Sequence, residues 1–150
     1  MKLADEKVVV VTGGAQGIGQ GIVEVFSEHG AHVVVLDINQ QQATEVAELA
    51  EKRSGRRSMA LRLDVGDPNN VQEVVDKVVS EFGCIDVLVN NAGIMRNHHI
   101  LEFPIEDWRA VFKVNVESVF LCSQATARKM VELGRRGVIL NIASCSANKA

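Results

Sequence analysis

The amino-acid sequence predicts an α/β fold: a doubly wound parallel sheet of at least five strands, with helices on both faces in a three-layer arrangement. Apolar runs of strand length alternate with segments whose apolar residues recur at helical spacing. Most of the strand candidates are continuous in Val, Ile and Leu, as expected of parallel strands that are covered on both faces. The βαβαβαβαβ order implies right-handed crossovers, and we expect the strand order 3-2-1-4-5.

The predicted strands cover residues 7–12, 32–37, 58–64, 85–90 and 137–143. Three amphipathic helices are expected between the first four strands. Their apolar faces are formed by Ile18, Ile22, Val25 and Phe26, then by Ala43, Val46, Ala47 and Ala50, and then by Val71, Val74, Val75, Val78 and Phe82. Asp67 suits the N-cap of the third helix and Pro68 its first position. Gly30 and Gly83 stand where helices end.

A fourth, longer helix is expected from near Pro104 to about Leu133. Between residues 108 and 133 its apolar side chains point almost all the way round, although a helix buried only on a sheet needs a single apolar stripe. Its second apolar face therefore indicates a further partner, which is either another subunit or a later part of the same polypeptide.

Length and composition indicate one domain over residues 1–150, with 47% hydrophobic residues and a net charge of −3. The charges are mixed in sign along the chain, which disfavours nucleic-acid and membrane partners. The three cysteines are widely spaced and show no metal or disulfide pattern, so a cytoplasmic location is expected. The charged amino terminus precedes an apolar run that is too short for a signal peptide or a membrane span.

The glycine-rich stretch "VVVVTGGAQGIGQG" follows the first strand without a linker. Glycines allow the backbone to approach a pyrophosphate closely, and the next helix directs its free N–H groups and positive dipole end at the phosphates. The chain has Thr12-Gly13-x-x-x-Gly17-x-Gly19 rather than the literal G-x-G-x-x-G pattern. Between a hydrophobic strand and an amphipathic helix, this turn predicts a dinucleotide-binding Rossmann fold.

Asp37 ends the second strand, eighteen positions after Gly19. A carboxylate at this point can accept hydrogen bonds from both ribose hydroxyls of adenosine and would repel a 2′-phosphate. Position 16 is Gln rather than a basic residue, and no Arg follows Asp37. The sequence therefore predicts NAD, rather than NADP, as the cofactor.

Four stretches together resemble the short-chain dehydrogenase/reductase family: "TGGAQGIG" at 12–19, "LDV" at 63–65, "NNAG" at 90–93 and "NIAS" at 141–144, supported by "KVNVES" at 113–118. The resemblance implies hydride transfer between a nicotinamide and a secondary alcohol or ketone. It also implies roles for individual residues. The residues assigned to coenzyme binding are Thr12, Gly13, Gln16, Gly17, Ile18, Gly19, Asp37, Asp64, Val65, Asn91, Ala92 and Gly93.

Two positions match the family's catalytic residues. Asn115 matches the helix asparagine that holds a water in the proton relay, and Ser144 matches the serine that hydrogen-bonds the substrate oxygen. The family's general acid/base is a tyrosine followed four residues later by a lysine. This chain contains no tyrosine, so we expect residues 1–150 alone to be inactive and the functional polypeptide to continue into a Tyr-x-x-x-Lys segment. The family also packs its long helix against a copy in a neighbouring subunit, which implies a homo-oligomer.

Alternative functions stay open on the sequence alone. A non-catalytic dinucleotide-binding module, such as a sensor or regulatory subunit, would keep the same coenzyme pocket. Another Rossmann enzyme, such as a methyltransferase, is disfavoured by the "NNAG" and "NIAS" stretches. His98 and His99 are expected to be loop residues near the substrate mouth, since adjacent histidines rarely bind one metal, and no metal site is predicted. Cys145 has no nearby partner for a redox role.

Overall fold

The computed structural model describes residues 2–144, which form a five-stranded parallel sheet in the order β3-β2-β1-β4-β5. The strands are β1 (Val8–Thr12), β2 (His32–Asp37), β3 (Ser58–Arg62), β4 (Val87–Asn90) and β5 (Val138–Asn141). The helices are α1 (Gly17–Glu28), α2 (Gln40–Ser54), α3 (Pro68–Phe82), α4 (Ile105–Phe112) and α5 (Ser118–Glu132). A short 3₁₀ turn (Ile100–Glu102) precedes α4, and a π-turn (Lys113–Glu117) joins α4 to α5. The predicted fold class and strand order are confirmed.

The central strand β1 is buried along its whole length and pairs with β2 on one side and β4 on the other. Its valines alternate between two separate hydrophobic cores. Val9 and Val11 face α1 and α2, whereas Val8 and Val10 face α3 and α5. The continuous valine run was therefore interpreted correctly, because both faces of the strand need apolar side chains.

Local signals account for several helix ends. The Asp67 side chain accepts hydrogen bonds from the backbone N–H groups of Asn69 and Asn70, and Pro68 occupies the first turn of α3. Gly83 caps the same helix with a φ of 80°, a left-handed conformation that glycine adopts at little cost. Gly55 ends α2 in the same way, with a φ of 68°. The sequence analysis named Gly83 but not Gly55.

Four strands are shorter than their predicted ranges. The hydrogen-bonded ladders leave out buried apolar residues that stand beside them, such as Leu63 after β3 and Ile85 before β4. A prediction from hydrophobicity makes the strands too long, because residues beyond the end of the hydrogen-bonded ladder are still buried. The first strand begins at Val8 rather than at Lys7, whose ammonium lies 3.6 Å from the Asp86 carboxylate.

The expected helix from near Pro104 to about Leu133 is present over residues 105–132, but the π-turn divides it into α4 and α5. In the π-turn, the N–H of Ser118 donates to the carbonyl of Lys113, five residues earlier, instead of to that of Val114. No glycine or proline occurs between residues 105 and 132. Neither of the two residues that commonly interrupt helices therefore marks the π-turn in the sequence.

Candidate functional site

A cavity of about 620 Å³ opens where the carboxyl ends of β1, β2 and β4 meet the helices that follow them. In a parallel α/β sheet this edge is the usual place for a ligand. The lining residues come from five separate parts of the chain and are Gly13, Gln16, Gly17, Ile18, Asp37, Ile38, Leu63, Asp64, Val65, Asn91, Ala92, Gly93, Ile94 and Val114. Ten of the twelve residues that the sequence analysis assigned to the coenzyme are therefore on this wall.

The glycine turn forms one side of the cavity. Gly13 and Gly17 have φ values of 62° and 56°, which favour glycine over residues with a Cβ. A Cβ on Gly13 would lie 2.8 Å from the Ala92 Cα, whereas one on Gly17 would meet no atom of the described residues within 4 Å. Gln16, at the N-cap of α1, makes no side-chain capping bond, and the first turn of α1 holds no acidic residue. This helix start therefore has the free donors and the dipole that suit a phosphate group.

Hydrogen bonds between Thr12 and Asn91 stabilise the backbone that forms the floor of the cavity. The Thr12 hydroxyl accepts hydrogen bonds from the N–H groups of Asn91 and Ala92, at 3.0 and 3.1 Å. The Asn91 side-chain amide donates in return to the carbonyls of Thr12 and Gly13, at 3.1 and 3.0 Å. These bonds join the end of β1 to the segment after β4. Thr12 itself is buried and is not among the lining residues.

Gly19 also lies behind the wall rather than on it. A Cβ on this residue would stand 2.0 Å from the Gly13 carbonyl oxygen and 2.5 Å from the Asn91 amide nitrogen. The bare Cα thus lets α1 pack directly against the glycine turn. The structure explains this glycine by helix packing, a role that a spacing pattern cannot separate from ligand contact.

Two carboxylates face the cavity from neighbouring strands. Asp37 is oriented by the N–H groups of Ala15 and Asn39, which donate to its two oxygens at 3.2 and 3.0 Å. Asp64 accepts from the N–H of Gly66 at 2.9 Å, which shapes the turn after β3. Both side chains retain lone pairs for a ligand, since a carboxylate has about four acceptor positions.

The π-turn supplies the wall opposite the glycine turn. Val114 lines the cavity, and the next residue, Asn115, forms a pair of hydrogen bonds with the backbone of Ile94. Its Oδ1 accepts from the Ile94 N–H at 2.8 Å, and its Nδ2 donates to the Ile94 carbonyl at 2.9 Å. The amide of Asn115 therefore ties the helix to the segment that leaves β4, beside the cavity.

Ser144 follows β5 by three residues and is exposed. Its strand is fixed to β4 up to that point. The Asn90 side chain donates to Asn141 Oδ1 at 2.9 Å and to the Ser123 hydroxyl at 3.0 Å, and the Ile142 N–H donates to the Asn90 carbonyl at 2.9 Å. Ser144 is thus carried at the same carboxyl edge of the sheet as the cavity, without lining it.

Four lining residues were not assigned by the sequence analysis: Ile38, Leu63, Ile94 and Val114. Each is the immediate neighbour of an assigned residue. All are aliphatic, so they offer the flat apolar contacts that a purine ring needs. Adjacency to a motif was the available signal, but side-chain type alone gave no reason to separate these residues from the core.

The other candidate groups have ordinary structural partners. His98 Nε2 lies 2.7 Å from Asp107 Oδ2, while His99 Nδ1 accepts from the Leu101 N–H, so the two rings make separate contacts. Across residues 2–144, no three His, Cys, Asp or Glu side chains are grouped to hold a metal ion. Burial raises the pKa of the Cys122 thiol to about 11, which keeps it protonated at neutral pH. Cys145 lies outside the described residues.

Comparison with known proteins identifies the family. A model of the family described as short chain dehydrogenase matches residues 7–150. An uncharacterized oxidoreductase of Thermotoga maritima is 41% identical over 145 residues, which are 97% of this chain and 56% of the relative. The L-2,3-butanediol dehydrogenase of Corynebacterium glutamicum is 44% identical over 143 residues, 94% of this chain and 55% of the relative.

Solved structures agree with the sequence matches. A short-chain type dehydrogenase/reductase from Mycobacterium marinum superposes with a TM-score of 0.92 at 34% identity, covering 97% of this chain and 58% of that one. An NAD⁺-bound xylitol dehydrogenase gives 0.93 at 30% identity, covering 99% and 57%. The chain therefore spans little more than half the length of the relatives it matches. Within residues 2–144, no helix is long and apolar enough to cross a membrane. By sequence and by structure, the chain belongs to the short-chain dehydrogenase family.

Proposed function

We propose that this chain is the coenzyme-binding part of an NAD-dependent oxidoreductase that interconverts a secondary alcohol and a ketone. The observation that carries the proposal is the oriented Asp37 carboxylate on the wall of a cavity that is also lined by the uncapped start of α1. Family members use nicotinamide coenzymes, and one structural neighbour is an NAD⁺-bound dehydrogenase. The choice of NAD and the kind of substrate are inferences for this chain.

The residues present fit a dinucleotide. The left-handed glycines and free N–H groups at the start of α1 would hold the pyrophosphate. Asp37 would accept hydrogen bonds from the adenosine ribose, and Asp64 with Val65 would contact the adenine. The aliphatic side chains of Leu63 and Val114 would exclude water from the adenine ring.

When bound, the nicotinamide supplies the hydride acceptor or donor. The contribution of this chain is to position the reactants and to hold protons near them. Ser144 would hydrogen-bond the substrate oxygen, and Asn115 would support the water of the proton relay through the segment it fixes at Ile94. Neither side chain can replace a phenol as the general acid/base, so turnover is assigned to a tyrosine that this sequence does not contain.

The coenzyme preference is tested by titrating NAD and NADP separately into the purified chain. A 2′-phosphate beside Asp37 would suffer like-charge repulsion, so NAD should bind tighter on the order of a hundredfold. Asp37→Asn removes the charge but keeps one oxygen that can accept from either Ala15 or Asn39, and it should narrow the difference to about tenfold or less. Asp67→Asn removes a carboxylate that caps α3 without lining the cavity, so its preference should match that of the parent. Equal affinities for the two coenzymes in the parent chain would refute the assignment.

A non-catalytic dinucleotide-binding module is the second candidate, because the same cavity would serve a sensor. The two functions are distinguished by whether the polypeptide that contains this chain carries a Tyr-x-x-x-Lys segment and turns over alcohols.

We also propose a homo-oligomer, supported by apolar side chains that α4, the π-turn and α5 leave exposed. The cytoplasmic location expected from the cysteine pattern stays a prediction.

A further inference from the structure

Ser118 is buried, at 4% exposure, at the junction between the π-turn and α5. In a continuous α-helix its N–H would donate to the carbonyl four residues earlier, which is that of Val114. Here it donates to the Lys113 carbonyl instead. The Ser118 hydroxyl donates to the Val114 carbonyl, with the oxygens 2.5 Å apart. The Ser118 hydroxyl thus replaces the Ser118 N–H as the hydrogen-bond donor to the Val114 carbonyl.

The π-turn has a consequence for the cavity wall. Its two consecutive residues Val114 and Asn115 make different contacts at the same edge: Val114 lines the cavity, and Asn115 pairs with both backbone groups of Ile94. A π-turn is costly relative to regular helix and persists only where something stabilises it. In this segment no glycine or proline imposes the break.

We propose that Ser118 is a positioning residue of the coenzyme site, whose hydroxyl stabilises the π-turn and thereby aims Asn115 at Ile94 and Val114 at the cavity. The inference rests on the proposed function, since Val114 and Ile94 matter to catalysis only if the cavity holds a coenzyme. The link from Ser118 to Ile94 is a property of the free chain and can be measured without any ligand.

The first measurement is backbone hydrogen exchange at Ile94, whose N–H is bonded to Asn115 Oδ1. Ser118→Ala should speed exchange at Ile94 about three- to tenfold, the effect of one hydrogen bond. Exchange at Ile142, whose N–H is bonded to the Asn90 carbonyl, should stay unchanged because that bond does not involve the helix. Ser118→Thr, which keeps the hydroxyl, should restore the parent rate at Ile94.

Thr126→Val is the matched control. Thr126 is a fully buried hydroxyl residue of α5, and its Oγ1 has no hydrogen-bond partner among residues 2–144. Its removal should leave exchange at Ile94 unchanged. Equal acceleration by Thr126→Val and Ser118→Ala, or an unchanged Ile94 rate in Ser118→Ala, would overturn the proposal.

A double-mutant comparison tests whether Ser118 acts through Asn115. Asn115→Ala removes both bonds to Ile94, so adding Ser118→Ala should produce no further acceleration of hydrogen exchange at Ile94.

NAD titration of the same variants then reports on the coenzyme site. A parent chain that does not bind NAD would refute the proposed function while leaving the exchange result intact. A chain that binds NAD equally well with and without the Ser118 hydroxyl would overturn the positioning role.

Discussion

Gly19 and Gly21 show how two glycines of one helix can have opposite effects on substitution. A Cβ on Gly19 would overlap the Gly13 carbonyl oxygen, whereas a Cβ on Gly21 would meet no atom within 4 Å in the part of the chain that the structure describes. Both residues belong to α1. The difference between them is therefore one of packing and not of helix propensity.

Gly19→Ala should lower the free energy of unfolding by about 1–3 kcal/mol, because α1 must move away from the glycine turn. The same shift disturbs the phosphate cradle, so NAD binding should weaken by at least tenfold. Gly21→Ala is the matched control and should raise stability by about 0.5–1 kcal/mol, since alanine restricts the unfolded chain. Urea titration and coenzyme titration of both variants measure these effects. A Gly19→Ala protein that is as stable as Gly21→Ala would contradict the packing explanation.

Asp86 is a buried carboxylate at the opposite, amino end of the sheet, 7% exposed. Burial raises the pKa of this carboxyl, but the Val8 N–H bond and the charges of Lys7 and Arg135 outweigh burial and hold the pKa below its usual range. Its Oδ2 lies 2.9 Å from the Val8 nitrogen, and the two cationic groups stand at 3.6 and 3.5 Å from Oδ1. Asp86 therefore links β1 to β4 and β5 as an ionised group.

Because the folded-state pKa is lowered, ionised Asp86 adds stability above its unfolded-state pKa of about 3.9, and this contribution disappears as the pH falls through the folded value. Asp86→Asn should cost about 1.5–3 kcal/mol at pH 7 and progressively less below about pH 4. Asp76→Asn, which removes an exposed carboxylate paired with Lys129, should have a much smaller effect. Denaturant titrations at pH 7 and pH 3 give the comparison. A cost for Asp86→Asn that grows as the pH falls would show that the sign is wrong.

At the scale of the elements, α4, the π-turn and α5 present one exposed apolar stripe. It consists of Trp108, Phe112, Val116 and Phe120, which are 47–60% exposed and spaced four residues apart. In a regular helix each step of four residues rotates by about 40°, so such a row drifts round the axis. The π-turn holds more residues per turn and reduces that drift between Phe112 and Val116. The stripe thus faces one direction, as a helix-on-helix interface requires.

Phe120→Glu should weaken self-association of the chain by at least tenfold, because a charge would be buried in the contact between copies. Leu49 lies on α2, on the other face of the sheet from α5, and is 48% exposed, so Leu49→Glu should leave the association constant unchanged. Sedimentation over a range of concentrations distinguishes the two. Association that is insensitive to Phe120→Glu would exclude this stripe as the interface.

At the scale of the whole molecule, the two faces of the sheet are covered unequally. Helices α3 and α5 cover one face as far as β5, where Ile139 packs into the core. On the other face α1 and α2 cover β1 and β2 but not β5. The side chains of Val138 and Leu140 in β5, and of Ile142 just after it, are therefore exposed. The cavity lies at the carboxyl ends of β1, β2, β3 and β4, away from the exposed side of β5.

The 150-residue chain should therefore bind NAD but show no alcohol-dependent NADH formation, since it contains no tyrosine to act as the proton donor. Coenzyme titration beside an absorbance assay with a series of secondary alcohols tests this. Ser144→Ala should leave NAD affinity unchanged, because Ser144 does not line the cavity. Alcohol-dependent NADH formation by the chain alone would refute the proton-relay assignment.

The sequence by itself determined the strand order, the glycine turn, the caps at Asp67 and Gly83, and ten of the fourteen lining residues. The caps and the glycine turn depend on interactions within a few residues, so they leave a local pattern. The strand order follows from the alternation of strands and helices, and most of the lining residues were assigned through the resemblance to the short-chain dehydrogenase/reductase family. Only the tertiary structure decided the break in the long helix, the packing role of Gly19, and the pairing of Asn115 with Ile94. Each of these depends on backbone atoms of a segment that is distant in the sequence or displaced by one residue in a helix. The sequence shows the Asn115 amide but not its partner, because every residue carries the N–H and carbonyl groups that Ile94 offers and only the fold brings the two together.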